Sequence, residues 1–317
     1  MPYTIKQKPQ DFIVKENIPH TPKEKGKYAL LLLKKTKYNT EDALAKIAQA
    51  TNTDKKKYSV AGYKDRNAYT EQYVTAKNQD KKTYTDLNIK DIEIEPRGYL
   101  DAPLSLGEHT SNTFNITVRN IEDTTPNKDL DTVKNYFDSQ RFSTNNHIIG
   151  KNIVTKQFKE ATQLLQQDHY HKRTINRHLK NHKNDYVTAL RTLPKGLLKL
   201  FVHAYQSQLW NRSVQRLKQL PETFPLIGFA TKPKNRRVRR EIRRTLQEEN
   251  ISKRDFIIKQ IPYLTTEGTT RKTKIQPQNL TITQRNHNTI QTKFTLPPGA
   301  YATMVIKHIM NDIDIQT

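Results

Sequence analysis

Alternating apolar and polar residues recur at both ends of this chain and give way to helical spacing in the middle. That interrupted layout constrains the fold more than any other feature. Phe12-Ile13-Val14, Tyr28 to Leu33, Tyr58 to Ala61 and Tyr69 to Val74 read as strands. Ile92-Ile94 and Phe114-Ile116-Val118 follow with the period-two pattern of half-buried strands. A helix is expected with Thr40 as its N-cap, Glu41 and Asp42 in its first turn, and Leu44, Ile47 and Ala48 on one face. A short helix from about Leu130 to Phe137 is expected to close this region. From about residue 150 to 280 the character changes: Lys195 to Leu217 carries Leu198, Phe201, Val202, Tyr205, Leu209 and Val214 at helical spacing. Ile290 to Leu296 alternates again, Pro297-Pro298-Gly299 breaks the strand, and Tyr301 to Met310 reads as a closing helix. One α/β domain interrupted by another is the arrangement this layout predicts.

Charge points to the partner. Among 317 residues, 55 Lys and Arg face 31 Asp and Glu, a net charge of +24. Such an excess attracts polyanions and speeds encounter with them, so nucleic acid is the expected partner. A membrane is not expected, because the longest aliphatic run, Ala29 to Leu33, is far too short to span one. No Lys-rich helix with a Trp/Phe/Leu face stands ready to lie in a bilayer. The N-terminus lacks the apolar core of a signal peptide, and a cytoplasmic location is expected. The absence of cysteine rules out disulfides, thiolate catalysis and Cys-type metal sites. The 9 glycines form neither phosphate-cradling loop, so no nucleotide cofactor is expected, and no other cofactor is called for.

Four kinds of chemistry can be weighed against the residues. His178 and His182 are four apart, but no H-E-x-x-H pattern follows and their neighbours are Lys and Arg; surface histidines are the better reading, and no metal is expected. No Gly-x-Ser-x-Gly turn marks a serine hydrolase. The adjacent acids Glu122 and Asp123 precede Thr-Thr-Pro and read as a turn rather than a nuclease metal site. The fourth candidate is A-G-Y-K-D-R-N-A-Y-T-E-Q, Ala61 to Gln72, where Asp65 sits between Lys64 and Arg66 just after a strand. As a bland surface loop, K-D-R would be a self-neutralising aspartate. As a site, flanking cations would keep the carboxylate ionised and draw an anionic substrate to it.

This segment resembles the catalytic motif of the TruD family of tRNA pseudouridine synthases, A-G-x-K-D-R-x-A-x-T-x-Q, matched at Ala61, Gly62, Lys64, Asp65, Arg66, Ala68, Thr70 and Gln72. Asp11 to Glu16 fits the family's D-F-x-V-x-E, and Asn112 to Ile116 with Arg119 fits its N-x-F segment. Asn135 to Phe142 fits N-Y-F-G-x-Q-R-F, with Asp138 in place of glycine. Ala204 to Ser207 with Asn211 resembles a helix of the inserted domain, and Leu296 to Thr303 resembles the closing L-P-x-G-x-[FY]-A-T. The stretch from about 218 to 285 carries little resemblance.

The resemblance implies an α+β fold: a pseudouridine synthase catalytic domain with a mixed, largely antiparallel sheet and helices, interrupted by a TruD-specific α/β insertion domain. The expected boundaries are 1–149 and 281–317 for the catalytic domain and 150–280 for the insertion. It implies an isomerase that converts uridine to pseudouridine in tRNA, at position 13, on a flipped-out nucleotide and without a cofactor. Asp65 is the implied catalytic carboxylate; whether it attacks C1′ or removes a proton to give a glycal-like species stays open. Lys6 is implied to pair with Asp65, Phe114 to stack on the uracil, Asn112 to hydrogen-bond near the base or the aspartate's loop, and Phe12 and Tyr301 to line the pocket. No protein partner is expected, and the chain is expected to act as a monomer. Two other classes compete: a non-catalytic basic RNA-binding protein, for which charge alone would suffice, and a metal-dependent nuclease.

Overall fold

The computed structural model describes residues 3–122, 125–127, 130–168 and 170–313; Asp123 of the acidic pair lies outside them. The chain forms two compact units, one of Met1–Val133 with Gln276–Asp312 and a second that includes Lys134–Ile275.

The first unit is built on β1 (Phe12–Asn17), β2 (Tyr28–Lys35), β3 (Tyr58–Val60), β4 (Tyr69–Lys77), β5 (Ile92–Leu100) and β6 (Ser111–Val118). Two late strands, Gln278–Asn286 and Thr289–Leu296, complete the sheet. Its order is Gln278–Asn286, Thr289–Leu296, β6, β1, β4, β2, β5, with β3 on β4. The β1–β4 pair is parallel, and the other pairs in this sheet are antiparallel. The aliphatic run of β2 is explained by burial on both faces. Leu31 and Leu33 pack with Leu44 and Ile47 of α1 (Thr40–Ala50), while Leu30 packs with Leu100 and Leu104 on the other side. No helix among the described residues is long and apolar enough to cross a membrane.

Two expectations need correction. The N-cap of α1 is Asn39, whose side chain accepts from the Asp42 amide at 2.7 Å. Thr40 is the first helical residue, and its buried hydroxyl is used elsewhere. Leu130 to Phe137 is not helical. There Asn135 donates from its backbone to Thr273 and from its side chain to the Lys272 carbonyl, and the Phe137 amide donates to Asn211. These partners replace the i→i−4 bonds a helix would need. The helix begins only at Ser139, whose amide bonds the Asp138 carboxylate at 2.9 Å.

The second unit is mainly helical around Lys195–Gln215. The expected face of that helix is buried, and so are Ala204, Ser207, Trp210, Asn211 and Ser213, so it is enclosed on more than one side. On its expected face Gly150 permits close approach: a Cβ there would lie 2.0 Å from the Phe201 carbonyl oxygen. Asn211 accepts from the Phe137 amide at 2.9 Å and donates to the Phe137 carbonyl at 2.7 Å. Gln206 donates to the Ile227 carbonyl, so Gln206 and Asn211 hold backbone, while the Tyr205 hydroxyl donates to the Glu249 carboxylate at 3.0 Å.

Candidate active site

The loop between β3 and β4 carries Lys64-Asp65-Arg66, and several of its backbone groups are held from outside the loop. The Ala61 carbonyl accepts from the Gly107 amide at 2.7 Å, and the Gly62 carbonyl from Gln72 Nε2 at 3.0 Å. The Lys64 amide donates to Thr40 Oγ1 at 2.8 Å, and that hydroxyl donates in turn to Gln72 Oε1 at 2.8 Å. Beneath the loop, Lys35 is 1% exposed; its ammonium donates to the carbonyls of Tyr38 at 2.7 Å, Asp65 at 3.1 Å and Lys64 at 3.4 Å. Arg66 Nε reaches the Lys37 carbonyl at 2.9 Å. Thr70 and Gln72, the last two matched positions of the motif, are buried in β4, so the motif is mostly scaffold for one aspartate.

Asp65 is presented rather than buried: its side chain is 40% exposed. Lys6 Nζ donates to Asp65 Oδ2 at 2.9 Å and lies 4.3 Å above the centre of the Phe12 ring. Lys6 reaches this point from a backbone with φ +61°, a conformation L-residues seldom adopt and one that persists where neighbours impose it. The neighbours are visible. Thr4 and Arg119 exchange two backbone hydrogen bonds at 2.7 and 2.9 Å, and the Arg119 guanidinium clasps the Asp11 carboxylate at 2.7 to 3.1 Å. That hydrogen-bonded guanidinium holds the Asp11 carboxyl below the usual carboxylate range.

Strand register assembles the rest. Val14 pairs with Phe114, which pairs with Phe294; Glu16 pairs with Asn112, which pairs with Leu296. Partners across antiparallel strands point to one face, so Phe12, Asn112 and Phe114 share a side of the sheet. Phe12 meets Phe114 edge to face at 6.1 Å, and Phe114 stacks on Phe294 at 5.6 Å; both Phe12 and Phe114 are buried. Asn112 Oδ1 and Thr70 Oγ1 are buried and find no hydrogen-bond partner among the described residues. Each such atom costs about 1–3 kcal/mol and calls for an explanation. Tyr301 is half-buried at the N-cap of helix Ala302–Ile309, where Gly299 at φ +77° turns the chain out of the preceding strand.

Lys6, Phe12, Asp65 and Phe114 therefore form one contiguous set, with Asn112 placed by register. Glu16, Lys35, Thr40 and Gln72 are supporting residues: the sequence placed Glu16 and Gln72 in matched motifs and Thr40 at a helix start without reading this role, and missed Lys35 altogether. Glu16 is buried, accepts from the Tyr73 amide at 3.0 Å and forms an ion pair with Lys64. Lys35 is the most perturbed of them. Burial pushes its ammonium down to about 8, against the pull of the Asp65 charge and with the push of Lys64. Elsewhere, His178 bonds Asp185 at 3.2 Å, and no group of three or more potential metal ligands is gathered among the described residues.

Comparison with known proteins gives consistent matches. The profile of the family described as tRNA pseudouridine synthase D (TruD) matches residues 2–171, 156–222 and 216–309. The tRNA pseudouridine synthase D of Aquifex aeolicus is 29% identical over 382 residues, covering 98% of each chain. A Methanopyrus kandleri protein designated "Probable tRNA pseudouridine synthase D" is 29% identical over 344 residues, covering 90% of this chain and 86% of its own. A crystal structure of a Methanosarcina mazei protein assigned to TruD superposes with a TM-score of 0.71 at 24% identity, covering 98% of this chain and 93% of the other. The two share a fold.

Proposed function

The chain belongs to the tRNA pseudouridine synthase D (TruD) family, and from that premise we infer its chemistry, with Asp65 as the acting group. It is a tRNA pseudouridine synthase, an isomerase. The reaction breaks the bond between ribose C1′ and uracil N1, rotates the base, and joins C1′ to C5; C5 gives up a proton and N1 ends with one, so nothing is oxidised or reduced. The uridine must leave its stack first, which costs about a few kcal/mol and is offset by phosphate contacts to a basic protein.

The observation that carries this reading is the presented, ion-paired carboxylate on a loop whose backbone is fixed from several sides. Both routes open to Asp65, attack at C1′ or proton removal, need it ionised and close to a sugar that develops oxocarbenium-like charge. Lys6 holds the charged form. Phe12 and Phe114 supply an aromatic wall, Tyr301 is proposed to line the same pocket, and the unpaired Asn112 carbonyl oxygen is offered to the uracil imide N–H. We place this chemistry in a catalytic domain of residues 1–149 and 281–317, with 150–280 as an insertion domain, in a cytoplasmic enzyme acting as a monomer. The proposed target is uridine 13 of tRNA.

The test is incubation of purified protein with unmodified tRNA, in EDTA, followed by site-by-site mapping of pseudouridine. Conversion at position 13 with the chain intact is expected. Metal-dependent cleavage, or binding without conversion, would defeat the reading. Lys6→Met is expected to slow the reaction about fivefold rather than abolish it, because a partly exposed ion pair is worth only about 1 kcal/mol.

A further inference from the structure

Helix Arg236–Glu248 sorts its charges by side. Val238, Glu241, Ile242 and Thr245 are buried. The carboxylates of this helix and its end are taken by neighbours: Glu241 and Glu248 by Arg216, Glu248 also by Arg244, and Glu249 by Arg212 and Lys151. Arg237 and Arg239 bond Gln219 and the Pro233 and Lys234 carbonyls. Arg236, Arg240 and Arg243 remain. They stand at i, i+4 and i+7 on the side away from the buried face, all exposed, with no hydrogen-bond or ion-pair partner among the described residues. Like charges three and four apart destabilise a helix, and an ordinary solvated face would intersperse acids between them.

We propose that this stripe is a docking surface for the phosphate backbone of RNA, engaging neighbouring phosphates of one strand. Successive guanidiniums are offset along the axis by about 6 and about 4.5 Å, from a rise of 1.5 Å per residue. Guanidinium forks match phosphate oxygens two at a time. Exposed Lys232 and Lys234, beside a hollow of about 540 Å³ at the start of the helix, extend the positive surface. An anionic membrane is the weaker partner, since the exposed large apolar residues, Tyr63, Leu106, Ile148, Tyr170, Ile257 and Ile313, all lie off this helix. The proposal rests on the RNA-directed function above.

The experiment measures Kd for an unmodified tRNA transcript across a salt series, with the intact protein and the triple variant Arg236→Gln, Arg240→Gln, Arg243→Gln. The expected result at about 0.15 M salt is a Kd raised about 10- to 100-fold, with the slope of log K against log salt shallower by about two. Arg244→Gln, whose partner is Glu248, should leave both near the parent values. A triple variant within twofold of the parent in Kd and unchanged in slope overturns the proposal. So does loss of binding to phosphatidylserine vesicles with tRNA binding intact. If the triple variant melts early, Arg240→Gln alone decides, with a slope change of about 0.7–0.9 expected and none overturning it. Binding is read without turnover, so failure to form pseudouridine would refute the chemistry and leave this surface standing.

Discussion

Replacing Asp65 by asparagine is expected to abolish pseudouridine formation while leaving the fold and tRNA binding in place. The amide is nearly the shape of the carboxylate, and its carbonyl can still accept from Lys6. The loop keeps its anchors, because Lys35, Thr40 and Gln72 hold main-chain atoms that the substitution does not touch. Only the charge and the nucleophilic or basic oxygen pair disappear. Removing a group of that kind lowers turnover by about 10⁴-fold or more. Release of label from uracil C5 measures turnover, and a melting curve and tRNA titration check the remainder. Turnover within tenfold of the parent would dismiss Asp65 as the acting group, and loss of binding in step with turnover would make its role one of affinity.

What could be read in advance follows the range of the interactions concerned. Strand β6 and strand Thr289–Leu296 declare themselves by alternation, because one face is buried and period two records it. Helix Lys195–Gln215 declares its apolar face for the same reason, but not Trp210, Ser207 and Asn211 on its other sides. The burial of Trp210 and Asn211 goes with segments distant in sequence: Trp210 Nε1 donates to the Phe224 carbonyl, and Asn211 bonds the Phe137 backbone. Leu130 to Phe137 fails as a helix because its backbone partners, Asn211, Arg271 and Thr273, lie far along the chain. Thr40 has the composition of a cap, and local rules could not see that a site twenty-odd residues away uses its hydroxyl.

The candidate site divides in the same way. Asp65 and Phe114 stand out through motif resemblance, and the structure adds how they are held. Lys6 lies on an N-terminal segment bound to the end of β6, so its reach to Asp65 depends on the Asp11–Arg119 clasp. Lys35 looked like one more lysine in a chain with 55 Lys and Arg, and only its burial separates it from the rest.

Lys35→Met is therefore the sharpest test of how the loop is held, and it should cut kcat about 100-fold at little cost in stability. Two opposing effects nearly cancel in the fold. Methionine leaves the carbonyls of Tyr38, Lys64 and Asp65 without the buried donor, at about 1–3 kcal/mol for each that water does not reach. It also removes a buried charge, and a depression of the ammonium from 10.5 to about 8 corresponds to about 3 kcal/mol of burial cost. With one or two of those carbonyls left dry, the net change stays within about 3 kcal/mol of zero. Turnover has no such compensation. The Asp65 carbonyl is one of the three acceptors, and a shift of about 1 Å in a catalytic group can cost about 100-fold. The pH dependence carries the signature. Below about pH 8 the parent holds the proton in both states and bears the full burial cost. Between about 8 and 10.5 the unfolded chain binds more protons than the folded one, so this group makes the parent's stability rise with pH. That rise should be missing in Lys35→Met. A variant with parental kcat, or one with the same stability gain above pH 8, would show that the loop is positioned without this lysine.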